Sequence, residues 1–338
     1  MKKIFIIIIS LITGTLLSGR LQAQDQQKLA QSGMKFMSAT LDARTAGLGE
    51  AVTALDGNAA FLFANPSSVA RQENLVNATA GSMTWIADIK YIYGAVTFAP
   101  SGGDWGVIGI TAMNVDYGDF IETISSSNTE GFVELGTFRP YALSLGVSYA
   151  KALNDKLALG GSIKYAKQSL GAAVTSINAD GSYVKSDHVR GVMAFDFGLL
   201  YRTGFRSLNF AMSVKNFSQE TRFEKENFQL PLTFRMGLSF NAVDLLENVD
   251  KNMHSFLLAV DAVHNRDFPE QVNIGAEYTF MNTISLRAGY NTPADERSYT
   301  LGVGVKQSYQ NYGLGVDYSY TPYGIFDAVH RVNVSVSL

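Results

Sequence analysis

Apolar and polar side chains take turns along most of the chain. In YALSLGVSY, Tyr141, Leu143, Leu145, Val147 and Tyr149 share one side, while Ala142, Ser144, Gly146 and Ser148 share the other. A period of two is the signature of an extended strand whose faces meet different surroundings. The same period groups Leu157, Leu159 and Ile163, then Met193, Phe195, Phe197, Leu199 and Tyr201, then Leu208, Phe210, Met212 and Val214. It continues through Phe256, Leu258 and Val260, through Val272, Ile274, Tyr278 and Phe280, and through Leu286 and Tyr290. Leu301, Val303 and Val305 follow, then Leu314, Val316, Tyr318 and Tyr320. The chain ends on HRVNVSVSL, with Val332, Val334, Val336 and Leu338 on one side. With candidates near residues 75–85, 90–99, 105–115 and 230–240, about fourteen strands are predicted, an even number as a single-chain bacterial barrel requires.

The connections alternate in length. If the first strand runs outward, the inner turns are PSGGD, LNDK, GFRS, the Met281-Asn282 pair and SYQN. The outer connections, 116–138, 168–190, 216–229 and 262–270, are longer. Short inner turns with long outer loops are the asymmetry of an outer-membrane barrel. One inner connection departs from this: AVDLLENVDKNMH, residues 242–254, is long and expected to be partly helical, so it is either an inserted element or a slip in the strand count. The expected fold is therefore all-β, a transmembrane antiparallel β-barrel of about 14 strands with an N-terminal hatch or plug.

Charge placement separates a barrel from a soluble sandwich. Lys164, Asp196, Lys215, Arg235, Asp261, Glu277, Arg287, Lys306 and Asp317 all fall by parity on the small or polar face. A sandwich core would impose a large desolvation penalty on them, whereas a hydrated lumen would not. Their signs nearly cancel, which favours mutual pairing in a partly plugged bore over an ion-selective pore ringed by one sign. Gly146, Gly160, Gly275, Gly289, Gly302, Gly304 and Gly315 also face inward and leave room for a plug. Composition agrees: 31 glycines, 21 phenylalanines and 16 tyrosines against 7 prolines suit glycine-relieved strands with aromatic ends.

The beginning of the chain specifies its route. MKK, the apolar stretch Ile4 to Leu17 and RLQAQ read as a secretory signal cleaved after Ala23. The domains expected are 1–23 signal peptide, 24–74 hatch and 75–338 barrel. No cysteine is present, and His188, His254, His264 and His330 show no ligand spacing, so no metal is expected. There is no G-x-S-x-G, H-E-x-x-H or P-loop, so neither an enzyme nor a cofactor is expected. A net charge of -3 argues against nucleic acid.

Before the first strand, RTAGLGEA (44–51) raises the question of a nucleotide-binding turn. Val52 stands where a dinucleotide fingerprint needs its last glycine, and no clean apolar strand precedes it. The segment reads better as plug material. It is too irregular to satisfy its backbone in lipid, yet it is stable when buried in protein. Asp56 or Asn58 would cap a short helix through AAFLFA, Pro66 would end it because Asn65 is biased away from helical angles, and SSVA is expected to add one turn.

FMSATLDARTAGLGEA, the D-x-N-A-A-F stretch and N-P-S, within residues 33–71, together with the signal and the Gly/Tyr-rich barrel, resemble the PorV/PorQ family of Bacteroidetes-type outer-membrane proteins. That family is similar in architecture to FadL-type transporters, fourteen-stranded barrels with an N-terminal hatch. The resemblance implies that Asp42, Arg44, Gly47, Gly49, Asn65 and Pro66 belong to the hatch; Asp56 and Asn58 join them as cap candidates. It further implies an outer-membrane location among lipids and leaves two functions open. One is an accessory role in type IX secretion, binding cargo signal domains or translocon partners through outer loops, with Tyr117, Phe120, Phe132 and Phe138 as contact candidates. The other is FadL-like passage of a hydrophobic ligand such as a long-chain fatty acid. A structural barrel without transport is the third option.

Overall fold

A computed structural model describes residues 32–338 apart from 224, 248, 295, 296 and 311. The expected signal peptide lies outside the described residues. Eighteen strands follow one another: β1 (Val76–Thr84), β2 (Lys90–Phe98), β3 (Val107–Asp116), β4 (Phe120–Ser125), β5 (Phe132–Phe138), β6 (Tyr141–Ala152), β7 (Leu157–Ile177), β8 (Tyr183–Arg202), β9 (Asn209–Phe217), β10 (Thr221–Phe223), β11 (Glu226–Phe228), β12 (Thr233–Asn241), β13 (His254–Asn265), β14 (Gln271–Phe280), β15 (Ile284–Thr292), β16 (Tyr299–Tyr309), β17 (Tyr312–Tyr323) and β18 (Phe326–Ser337). Fourteen of them close into one antiparallel barrel; β4–β5 and β10–β11 are separate hairpins. Closure joins β1 to β18 with Ala80 opposite Val334, and no edge is left within the bilayer.

The period-two pattern arises because every strand has lipid on one side. On β6, Leu145, Val147 and Tyr149 are exposed on the outside, while Ala142, Ser144 and Ser148 are buried inside. Outward Val303, Val305, Val316 and Val334 repeat this on the last strands. Such β-branched side chains suit both the pleated backbone and hydrocarbon.

The long outer connections are more regular than expected. Residues 116–138 fold into the β4–β5 hairpin and 216–229 contain β10–β11. Residues 168–190 are not a loop: β7 and β8 run on as a paired ribbon to a turn at 178–182, where the Asn178 N–H donates to the Ser182 carbonyl at 2.8 Å. A strand of 21 residues is about twice the roughly 9–11 that cross a bilayer, so this ribbon stands well clear of the outer leaflet. The 242–254 connection does not disturb the strand count. It holds one 3-10 turn, Ala242–Leu245, capped by Asn241.

Residues 32–75 fill the bore. Gly33 N–H meets the Gln229 carbonyl near the outer end, and the chain descends from there to Val76 at the inner end, where β1 begins. Helix α1 (Ala43–Gly47) lies against β15, β16 and β17. Two 3-10 turns, Ala59–Phe63 and Pro66–Val69, lie against β1–β3 and β6–β8 respectively. The wall makes room by omitting side chains: a Cβ on Gly289 would stand 2.0 Å from the Gly49 nitrogen, and one on Gly275 would stand 2.5 Å from the Leu48 carbonyl. Gly49 itself turns at φ +60. The packing predicts that Gly289→Leu forces residues 44–51 away from the wall. Trypsin should then cleave after Arg44 in the folded variant and not in the parent barrel.

Candidate functional site: the filled bore and its two mouths

Three of the short elements of the N-terminal segment are set by a local side-chain cap. The Asp42 carboxylate accepts from the Thr45 N–H at 2.8 Å and its hydroxyl at 2.9 Å, starting α1. Asn58 caps the next turn through the Ala60 N–H at 3.0 Å. Asp56, the other cap candidate, instead pairs with Arg202 at 2.8 Å. Asn65 is extended, as a residue before proline should be, and caps the Pro66 turn through the Ser67 N–H at 3.0 Å. Gly47 and Gly49, the centre of the glycine question, bed against Gly302 and Gly289, with no phosphate cradle between them.

The inward charges meet this segment. Arg44 forks onto Glu277 with its Nε at 2.9 Å and Nη2 at 2.7 Å. Arg287 also donates to Glu277 and reaches Asp317 at 2.6 Å, while Asn333 bridges Asp317 to the first amide of α1. Asp261 accepts from the Val52 and Thr53 amides at 3.1 and 3.0 Å and from the Thr53 hydroxyl at 2.6 Å. Lys164 pairs with Asp196 at 2.8 Å across β7 and β8. Arg235 binds both the carbonyl and the carboxylate of Glu50 at 3.0 Å, and Arg297 approaches the same carboxylate from the β15–β16 connection.

Two of the nine predicted inward charges are different. Lys306 is exposed at the inner mouth, and Lys215 faces an outer cavity without closing an ion pair. Parity reasoning passed over Asn273, Asn291, Arg331 and Asn333, although all stand on inward positions of their strands. Arg331, 1% exposed, donates to the Thr40 carbonyl at 2.8 Å. Nothing periodic marks Glu50 or Arg297, which lie outside the strands.

The bore is not uniformly polar. Tyr91, Tyr93, Met83, Met113 and Val115 point inward from β1–β3 and pack on Met34, Phe36, Met37 and Leu41. Tyr117, expected among the outer contacts, is half-buried: it packs against this cluster and its hydroxyl accepts from Gln168 at 3.3 Å. The apolar packing beneath it draws the ring inward. Phe138 sits over Gly171 and beside Phe120, with ring centroids 5.8 Å apart, whereas Phe120 and Phe132 remain exposed.

Above and below the filled section are two mouths. The outer cavity, about 610 Å³, is bounded by Lys35, Glu50, Lys215 and the connections around Arg266 and Arg297. The inner one, about 660 Å³, is bounded by Arg44, Asn58, Glu73, Lys306 and Ser335, and is mostly polar.

A closed antiparallel barrel with lipid-suited side chains outside and a charged, filled bore defines an outer-membrane barrel protein. The chain belongs to the family of type IX secretion system membrane protein PorP/SprF, whose model matches residues 133–332, from β5 into β18. The match leaves out the N-terminal segment, and the family it identifies is PorP/SprF, not the PorV/PorQ family that the motifs resemble. Among curated proteins no match is found. Among solved structures, the chain is similar to the Ralstonia pickettii toluene transporter TbuX, at 13% identity over 88% of this chain and 97% of that one, TM-score 0.53. It is also similar to the CymD monoaromatic hydrocarbon channel (13%, 88% and 96%, TM-score 0.55) and a Pseudomonas aeruginosa FadL homologue (11%, 88% and 98%, TM-score 0.50). These likenesses establish a FadL-like barrel architecture.

Two expectations follow from the charge network. Arg287→Ala leaves Glu277 and Asp317 short of a buried partner, which should cost about 3–5 kcal/mol, read as an earlier midpoint in denaturant titration of the micelle-bound barrel. The second concerns Glu50. Burial by itself would raise its pKa, but Arg297 and Arg235 outweigh it and hold the carboxyl well below its ordinary 4.5. A carboxyl depressed in the folded state stabilises above its unfolded pKa, and this contribution is lost as pH falls through the folded value. Amide exchange across residues 42–56, corrected for intrinsic rates, should therefore stay protected at about pH 4 and open only in stronger acid.

Proposed function

We propose that this barrel is an accessory component of type IX protein secretion whose outer surface binds secreted cargo signal domains or translocon partners, in the manner the PorV/PorQ resemblance implies. The observation that carries the reading is the family match, which spans β5 to β18 and therefore most of the outer platform. That platform has the features of a contact surface. The β7–β8 ribbon rises beyond the bilayer beside the β4–β5 hairpin, the two joined by Lys185 and Glu122 at 2.6 Å. Phe120, Ile121, Phe132 and Val133 are exposed on the hairpin, outside the barrel sheet. Residues 32–75 act in this reading as a hatch: they close the bore so that partners can dock outside without opening a leak.

A second reading is favoured by the fold. The solved neighbours include transporters and channels for toluene and monoaromatic hydrocarbons, and the two mouths flank the hatch as a ligand route would. In that reading the chain passes a hydrophobic molecule across the outer membrane.

Deletion of the gene distinguishes them. Under the secretion reading, proteins bearing a type IX signal accumulate in the periplasm and disappear from the surface and medium. An unchanged secretome with reduced uptake of a hydrophobic compound would favour transport instead. A quadruple variant, Phe120→Ser, Ile121→Ser, Phe132→Ser and Val133→Ser, should reproduce the secretion defect while the barrel still assembles.

A further inference from the structure

Among the described residues the charges around the outer cavity do not balance: five basic side chains line it against two acidic ones. Three of the five are spoken for: Lys35 by Asp267, and Arg235 and Arg297 both by Glu50. Lys215 on β9 donates no hydrogen bond and closes no ion pair among the described residues, although it stands on an inward position opposite Thr233. Arg266, in the β13–β14 connection, closes no ion pair either and donates only to the Leu230 and Leu232 carbonyls, through its Nη1 and its backbone N–H. Asp196 and Glu50 act on Lys215 only through space, and both are already paired, the first with Lys164 and the second with Arg235 and Arg297; a confined cation so placed is short of countercharge, and an anionic guest relieves that cost. In the filled section the wall charges pair with one another or with the N-terminal segment, as Lys164 does with Asp196 and Glu277 with Arg44; at the outer cavity Lys215 and Arg266 close no such pair among the described residues.

The rest of the lining narrows the guest. Met37, Leu232, Phe268 and Phe326 supply apolar wall between the cations, and about 610 Å³ falls within the roughly 300–1,000 Å³ of ligand-binding clefts. The basic groups come from five different elements of the chain. A lipid with one charged head would press its tail against the remaining cations. A chain carrying several carboxylates with apolar side chains between them satisfies both kinds of wall.

We propose that the outer cavity is a binding site for an acidic peptide segment, with Lys215 and Arg266 as the groups that take its carboxylates. The choice of a polypeptide rests on the secretion reading; the charge argument does not.

The test is made on the purified full-length barrel in nanodiscs, so that it is independent of any secretion phenotype. The probes are a short fluorescent peptide alternating glutamate and leucine, the same peptide with glutamine for glutamate, and laurate. Binding is scored against empty nanodiscs. The acidic peptide should bind at least about tenfold more tightly than its glutamine counterpart, and its affinity should fall as salt rises. The double variant Lys215→Gln, Arg266→Gln should lose that preference, and Lys306→Gln at the other mouth should keep it. Equal binding of the two peptides overturns the proposal, as does laurate binding with no peptide binding. The comparison of peptides uses the unaltered chain, so it stands even if the double variant fails to fold. A normal secretome in the deletion strain, with acidic-peptide binding intact, would count against the secretion role and leave the site in place.

Discussion

A charge buried inside a filled barrel has to be met by another charge or by a backbone dipole, because the lipid outside the wall offers it nothing. This requirement organises the molecule. Arg287 and Glu277 stand opposite one another on β15 and β14, and Arg44 of the N-terminal segment completes their pairing from within. Among the described residues Asp261 has no cationic partner in hydrogen-bonding range, and it is held by two amides and a hydroxyl of Val52 and Thr53. The strand wall is thus built around a segment that lies outside the sheet. Inward glycines are the complementary half of the design, since they let backbone approach backbone where charge pairing needs contact.

The bore divides into unequal parts. Toward β12–β18 it is a polar lattice that fixes α1 and the Glu50 turn. Toward β1–β3 it is an apolar pack of tyrosines and methionines against Met34–Leu41. Dispersion holds the second half and specific pairing the first, so the segment is seated by two forces with different sensitivities. Acid weakens one and leaves the other. The filled section separates an outer mouth, where the described basic side chains outnumber the acidic ones, from an inner mouth where charges of both signs stand among amides and hydroxyls. The first lies among the connections that a surface partner would meet.

Much of this could be read from the chain. Period-two alternation located ten of the fourteen barrel strands, the other four lie at the candidate stretches, and parity put Lys164, Asp196, Arg235, Asp261, Glu277, Arg287 and Asp317 on the inside. The caps at Asn58 and Asn65 were also readable, because a cap acts over two or three residues. Legibility failed where neighbours in space are distant in sequence. Tyr117 carries no mark of its packing against the cluster inside the bore, because that cluster joins side chains of β1–β3 to residues before β1. The β7–β8 ribbon was hidden because its polar, solvated pleats lack the one-sided alternation that lipid imposes.

The sequence by itself determined which face each strand turns to the membrane, because hydrocarbon and water select side chains one position at a time. Which charge meets which was decided only by the tertiary structure. Arg44 and Glu277 are 233 residues apart, and nothing local joins them. They become partners because the sheet closes into a cylinder and the segment before it descends through the centre, at a depth set by glycines on the wall.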